Sequence, residues 1–206
     1  MEINLLKSLP KGKRNIKERN VKKTKKHVST SRKFGKSYFD GSREYGYGGY
    51  SYDGRWKTVA KDIVKHFKLK KNDKLLDIGC AKGFLVNDLI DLGIDCYGLD
   101  VSKYAIKNSL PSTYGRLHHG SADNLPFQDK SFKVVISINT IHNLNYDKCS
   151  KAIKEIERVS SSGSFIQVDS YKTKKQKQIF QEWVLTAKYH DYTSNWIKLF
   201  KKCGYT

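Results

Sequence analysis

Cysteine is scarce and scattered in this chain. Its four cysteines, Cys80, Cys96, Cys149 and Cys203, form no C-x-x-C pair. That spacing argues against a disulfide framework or a structural zinc site and for buried free thiols in a reducing cytoplasm. Proline is rarer still, with three residues in 206. No apolar run approaches the ~20 residues of a membrane span. The first residues, MEINLLKSLPKGKR, lack the apolar core of a secretory signal, and a cytoplasmic protein is expected. Acids are few as well, 20 against 40 Lys and Arg, which leaves a formal charge of +20. Half of that excess lies in residues 1–33, which carry 12 bases and two glutamates. Residues 1–37 therefore read as a basic extension outside the core. It is either a solvated arm for RNA or an anionic surface, or a polar tail without a partner.

Aromatic residues are plentiful, at 12% of the chain. They concentrate in residues 38–56, YFDGSREYGYGGYSYDGRW, where five tyrosines and five glycines share 19 positions. Glycine frees the backbone and aromatic rings supply stacking surface. Residues 38–55 thus read as a lid able to fold over a flat ligand, or as an irregular entry loop.

From Trp56 onward the pattern is regular. A helix is expected over Trp56–Phe67, a strand over Lys74–Ile78, a helix over Phe84–Leu92 and a strand over Asp95–Leu99. A short helix Ser102–Asn108 with Ser102 as cap follows, then a weak strand Arg116–His119 and a strong one, Phe132–Ile138. A helix over Asp147–Val159, a strand over Ser164–Val168 and helices over Lys174–Val184 and Ser194–Cys203 complete the series. Alternating strands and helices imply an α/β fold with a doubly wound, mostly parallel sheet.

Ligands of such sheets bind at the carboxyl ends of the strands. Four ends here carry suitable residues: Asp77-Ile78-Gly79-Cys80-Ala81-Lys82-Gly83, Asp100, Ser121-Ala122-Asp123 and Asn139-Thr140-Ile141-His142. The first is a tight strand-to-helix turn, and it lacks the phosphate-loop pattern G-x-x-x-x-G-K-[ST]. Asp100 stands where a carboxylate can accept both hydroxyls of a ribose. Dinucleotide enzymes use the same arrangement, so spacing alone does not choose the cofactor. Adjacent His118 and His119 point oppositely on a strand and make a poor chelate, so no metal is expected.

The stretches LLDIGCAKG, YGLDVS, GSADNLPFQDKSFKVVISINTIHNL and FIQVDS, in this order, resemble the motifs of class I S-adenosylmethionine-dependent methyltransferases. The resemblance covers about residues 56–206. It implies a Rossmann-like fold and S-adenosylmethionine as cofactor. By resemblance, Asp77, Gly79, Ala81 and Gly83 shape the turn around the methionine moiety. Asp100 holds the ribose, Val101 packs on the adenine, Ala122 and Asp123 meet its edge, and Asn139 lies beneath the sulfonium. The YGYGGYxYDGRW and WVLTAKYH stretches also look like a subgroup found near surface-polysaccharide and small-molecule biosynthesis. Two departures stand out. Ala81 replaces a glycine of D-x-G-x-G-x-G, for which φ < 0 is expected. The chain also ends where the family continues into a terminal β-hairpin, so either a truncated chain or an exposed edge beside the fifth strand is expected.

Candidate catalytic residues are Asn139, His142 and Asp169. His142 is either a general base or a histidine satisfied by local hydrogen bonds, and Asp169 either contacts substrate or caps a turn. Arg55 is placed to pair with the cofactor carboxylate. An amino-methylating N/D-P-P-Y/F element is replaced by INTIH, and no cysteine suits carbon-5 methylation. These features favour a small-molecule acceptor, such as a sugar or polysaccharide precursor. An RNA methyltransferase using the basic extension, and a catalytically silent binding protein of the same fold, stand as alternatives.

Overall fold

The computed structural model describes residues 2–10, 21 and 23–205. A solvated helix or disorder is expected over residues 15–33; residues 15–20 and 22 lie outside the described residues, and Lys25–Ser31 form a helix. Five strands form one all-parallel sheet in the order β3-β2-β1-β4-β5. They are β1 (Lys74–Ile78), β2 (Asp95–Asp100), β3 (Leu117–His119), β4 (Phe132–Ile138) and β5 (Ser160–Gln167). The helices are α1 (Lys25–Ser31), α2 (Lys36–Phe39), α3 (Lys57–His66), α4 (Phe84–Asp91), α5 (Lys103–Lys107), α6 (Tyr146–Val159), α7 (Lys174–Trp183) and α8 (Thr193–Lys202). No helix among the described residues is long and apolar enough to cross a membrane.

Side chains alternate across each strand, so the sheet buries two apolar faces. Leu75, Val134, Ile136 and Phe165 pack on one side with Val59 and Ile63 of α3 and Leu85, Val86 and Leu89 of α4. Leu76, Ile78 and Val135 pack on the other with Ile153 and Ile156 of α6 and Trp196 and Leu199 of α8. Trp196 is part of this core. The α5 helix begins as expected, with the Ser102 hydroxyl accepting from Ala105 N–H.

Three features depart from the sequence expectations. β5 starts at Ser160, four residues early, and leaves α6 without a loop. Its Ser-Ser-Ser-Gly start reads as a turn in sequence, yet it pairs with β4 across a register shift between Phe132 and Val134. The basic extension does not stand wholly apart. Leu5 is buried in the α3–α4 face, with Ile3, Leu6 and Leu9 packed against the same cluster. Their apolar side chains are few, but the sheet face leaves a site for them. The outer edge of β5 is met by Tyr205, whose hydroxyl accepts from Ile166 N–H at 3.2 Å and donates to the Ser164 carbonyl at 3.1 Å. β5 remains the last strand on that side among the described residues.

Removing the buried Leu5 side chain leaves a cavity in the α3–α4 face. Leu5→Ala should cost about 2 kcal/mol. Urea unfolding followed by circular dichroism checks this, and an unchanged midpoint would return residues 2–9 to a tail without structural weight.

Candidate active site

The chain order reverses between β1 and β4, and a crevice opens there at the carboxyl ends of the strands. It consists of a cavity of about 430 Å³ and a smaller one of about 90 Å³. The two share Tyr47, Gly79, Ala81, Ile138 and Asn139 in their walls. The turn from β1 into α4 forms the floor. Gly79 has φ +83°, and a Cβ there would lie 1.9 Å from Thr140 Oγ1. Only glycine lets this turn lie against the end of β4. Ala81 also has positive φ, +51°, which corrects the expected φ < 0. Its N–H donates to Asp100 Oδ2 at 2.8 Å, and Ser102 N–H donates to Oδ1 at 2.7 Å. These bonds hold Ala81 in a conformation that costs an alanine about 1–2 kcal/mol.

Asp77 and Asp100 end adjacent strands and are both buried. Burial, helped by the neighbouring Asp100 charge, pushes the Asp77 carboxyl up to about 7. No hydrogen-bond donor reaches that carboxyl among the described residues, and it faces the smaller cavity. Burial also raises Asp100, against the opposing pull of the Ser102 and Ala81 N–H groups. The β1 and β2 ends therefore present two desolvated acids to the crevice, one of them unpaired.

Of the remaining candidates, Val101, Ala122 and Asn139 line the larger cavity. Val101 is 52% exposed, an apolar side chain held in the open beside Asp100. Asn139 ends β4 at φ +54°, its N–H bonded to the Gln167 carbonyl at 2.9 Å. Gly83 sets the start of α4 at φ +73° and stands outside both cavity walls. Asp123 is turned aside. Against the penalty of burial, the Ser121 hydroxyl and Lys148 hold its carboxyl below the usual range, and Lys148 Nζ lies 3.2 Å away. Its neighbours Ser121 and Ala122 line the cavity instead.

Three candidates stand away from the crevice. His142 sits in a 3₁₀ turn, is buried, and belongs to neither cavity wall. Its Nδ1 accepts from Asp169 N–H at 3.2 Å, which puts its proton on Nε2. Burial holds the ring neutral by lowering its pKa. His142 therefore ties the β5 end to the 3₁₀ turn rather than facing a substrate, and Asp169 joins it through its backbone. Arg55 closes on its near neighbour Asp53, with Nη2–Oδ2 2.6 Å, and is likewise absent from both walls.

The aromatic–glycine segment does cover the crevice, with Tyr47 in both walls and Tyr50 and Trp56 in the smaller one. It is latched by a residue the sequence did not single out. Lys82, in the β1–α4 turn, sends Nζ away from the crevice to both oxygens of Asp40 at 2.8 Å and to the Tyr50 carbonyl at 2.9 Å. Tyr104 Oη donates to the same Asp40 at 2.7 Å. The rings of Phe39, Tyr47, Tyr50 and Phe84 stack beside this pair. Also unforeseen are Arg32, Lys33, Tyr38 and Lys188 in the wall of the larger cavity. No periodicity marks them, because chain ends 150 residues apart supply them.

Residues 76–168 match the family model described as a methyltransferase domain. The uncharacterized methyltransferase YcgJ of Bacillus subtilis is 28% identical over 116 residues, 53% of this chain and 45% of that protein. The ubiquinone biosynthesis O-methyltransferase of Pelagibacter ubique is 30% identical over 105 residues, 44% of this chain and 42% of that one. The chain thus spans under half the length of these relatives. The structure of YcgJ superposes with a TM-score of 0.56 at 20% identity, covering 70% of this chain and 66% of that one. A SAM-dependent methyltransferase of Methanosarcina mazei gives 0.55 at 20% identity, covering 68% and 82%. The five-stranded parallel sheet with a crevice at its switch point thus has the Rossmann-like fold of these methyltransferases.

Proposed function

We propose that the chain is an S-adenosylmethionine-dependent methyltransferase acting on a small molecule. The observation that carries this reading is the unpaired Asp77 carboxyl at one end of a crevice whose other end holds Asp100 and Val101. A cationic amino group fits beside Asp77, where nothing else balances a buried charge. Each Asp100 oxygen accepts one backbone N–H and keeps a lone pair for a ribose hydroxyl. Val101 and Ala122 offer apolar surface to an adenine. A sulfonium supplies an already activated methyl group, so the protein's work is to bind, orient and exclude water. The shared wall of Tyr47, Gly79 and Asn139 is where the two cavities meet and where an acceptor would approach. Burial pushes the Tyr47 and Tyr38 hydroxyls up, so both stay neutral and act by hydrogen bonding. The basic extension contributes Arg32 and Lys33 to the cavity wall, which supports its reading as part of the site rather than as an RNA arm.

Two outcomes test this reading. Calorimetric titration with S-adenosylhomocysteine should show saturable binding. Val101→Glu should weaken it by about tenfold or more with the fold intact, since a charge would replace apolar contact. Asp100→Asn, which keeps the side-chain shape, should do likewise, and full affinity in both folded variants would remove the assigned site.

The second concerns pH. An amino group needs Asp77 ionised, and its carboxyl is raised to about 7 in the free protein. Affinity should therefore fall as pH drops below 7, by up to about tenfold per unit, and Asp77→Asn should flatten that profile. The same raised carboxyl costs the free fold stability as pH rises from its ordinary value toward 7. Asp77→Asn should accordingly raise the thermal midpoint more at pH 8 than at pH 4. A wild-type affinity that is constant across this range would place the amino group elsewhere.

A further inference from the structure

The wall of the larger cavity carries more positive charge than the proposed cofactor uses. Arg32, Lys33, Lys148 and Lys188 line it, against Asp100 as the one carboxylate in the same wall. Both oxygens of Asp100 already accept backbone N–H groups, and Lys148 is matched to Asp123. Elsewhere the partly buried cations find acids: Lys82 with Asp40, Arg116 with Asp95, Lys133 with Asp73, Arg158 with Glu155 and Asp129. Arg32, Lys33 and Lys188 have no carboxylate partner among the described residues.

All three are exposed, but the Arg32 side chain and the Lys188 backbone are anchored. Arg32 follows α1, and its Nη2 donates to the Ala187 carbonyl at 3.0 Å. Ala187 is buried, and the next residue, Lys188, anchors its N–H on the His142 carbonyl at 2.9 Å. The buried His142 thus fixes the loop that Arg32 grips, and both cationic residues line the wall of the same cavity. Like charges in one cavity wall repel each other, and an anion bound among them relieves that cost. A guanidinium with free N–H groups beside an ammonium matches a phosphate or a carboxylate.

We propose that the methyl acceptor is a small molecule carrying a phosphate or carboxylate group, and that Arg32 and Lys188 bind that group at the mouth of the larger cavity. This rests on the methyltransferase reading for the identity of the neighbouring ligand, but the anion site stands on its own geometry. The cations line the wall of a cavity rather than a stripe across the surface. That favours one anionic group on a small acceptor over a run of nucleic-acid phosphates.

The probe is pyrophosphate, titrated calorimetrically into the full chain saturated with S-adenosylhomocysteine. One saturable site is expected, weakened about tenfold or more by Arg32→Gln and by Lys188→Gln, as loss of a charged hydrogen bond implies. S-adenosylhomocysteine affinity should stay within about twofold of wild type in both. Lys65→Gln, on the far helix α3, is the control for general attraction to a basic protein. No pyrophosphate binding, or equal weakening by Lys65→Gln, overturns the proposal. Lys188 projects from a loop into solvent, so its variant keeps the test open should Arg32→Gln fail to fold. A short single-stranded RNA that displaces pyrophosphate, with affinity falling steeply between about 50 and 200 mM salt, would overturn it in favour of a nucleic-acid acceptor. Failure of S-adenosylhomocysteine to bind while pyrophosphate still binds through Arg32 and Lys188 would sink the cofactor reading and leave the anion site standing.

Discussion

The crevice exists because the β1–α4 turn can lie directly on the end of β4, and that contact depends on Gly79. A Cβ there would overlap the Thr140 side chain, with Oγ1 at 1.9 Å. With the contact made, Asp77 and Asn139 come to line the same small cavity, and the next residues of the turn reach Asp100. The bond from Ala81 N–H to Asp100 then fixes β2 against the turn. Any larger residue at position 79 would push the two strand ends apart and open the floor on which every candidate ligand group stands.

Closing that floor buries two acids side by side. Desolvation raises both, the Asp100 charge raises Asp77 further, and the structure meets the two differently. Asp100 receives two backbone N–H groups, which makes it a structural clamp. Asp77 receives none, so its cost persists in the free protein. An unpaired buried polar group is tolerated where a ligand completes it, and stability is then exchanged for binding. Lys82 would be the obvious cation to relieve Asp77, being five residues away in the same turn. It points outward instead, to Asp40, and uses its charge to fasten the aromatic lid.

The sheet was legible in the sequence because its signals are local. Apolar runs such as FKVVISI have the period of a strand buried on both faces, and β1 and β4 fall on the expected residues. The start of β5 was not legible, because its serines and glycine pair only through a register shift with a strand 28 residues earlier. The site divides the same way. Asp77, Gly79, Asp100, Val101 and Asn139 occupy strand ends, whose place in the crevice follows from topology. His142 follows β4 and Arg55 lies in the lid segment, yet neither side chain lines the crevice. Their actual partners, Asp169 N–H 27 residues away and Asp53 two residues away, are contacts that residue type alone does not reveal. Leu5, Arg32 and Lys188 depend on long-range packing of the chain's two ends, which no window of sequence contains.

Charge is sorted along the crevice rather than spread over it. Acids lie on the floor at the strand ends, and unpaired cations stand at the mouth, on elements added around the sheet. The floor belongs to the residues matched by the family model, whereas Arg32, Lys33 and Lys188 lie outside that match. A ligand with a positive end and an anionic neighbour would be aligned by this field before it makes any contact. The low dielectric of the walls strengthens that alignment relative to water. The shared fold thus fixes where the methyl donor would lie, and the flanking segments of this particular chain decide which charge its acceptor must carry.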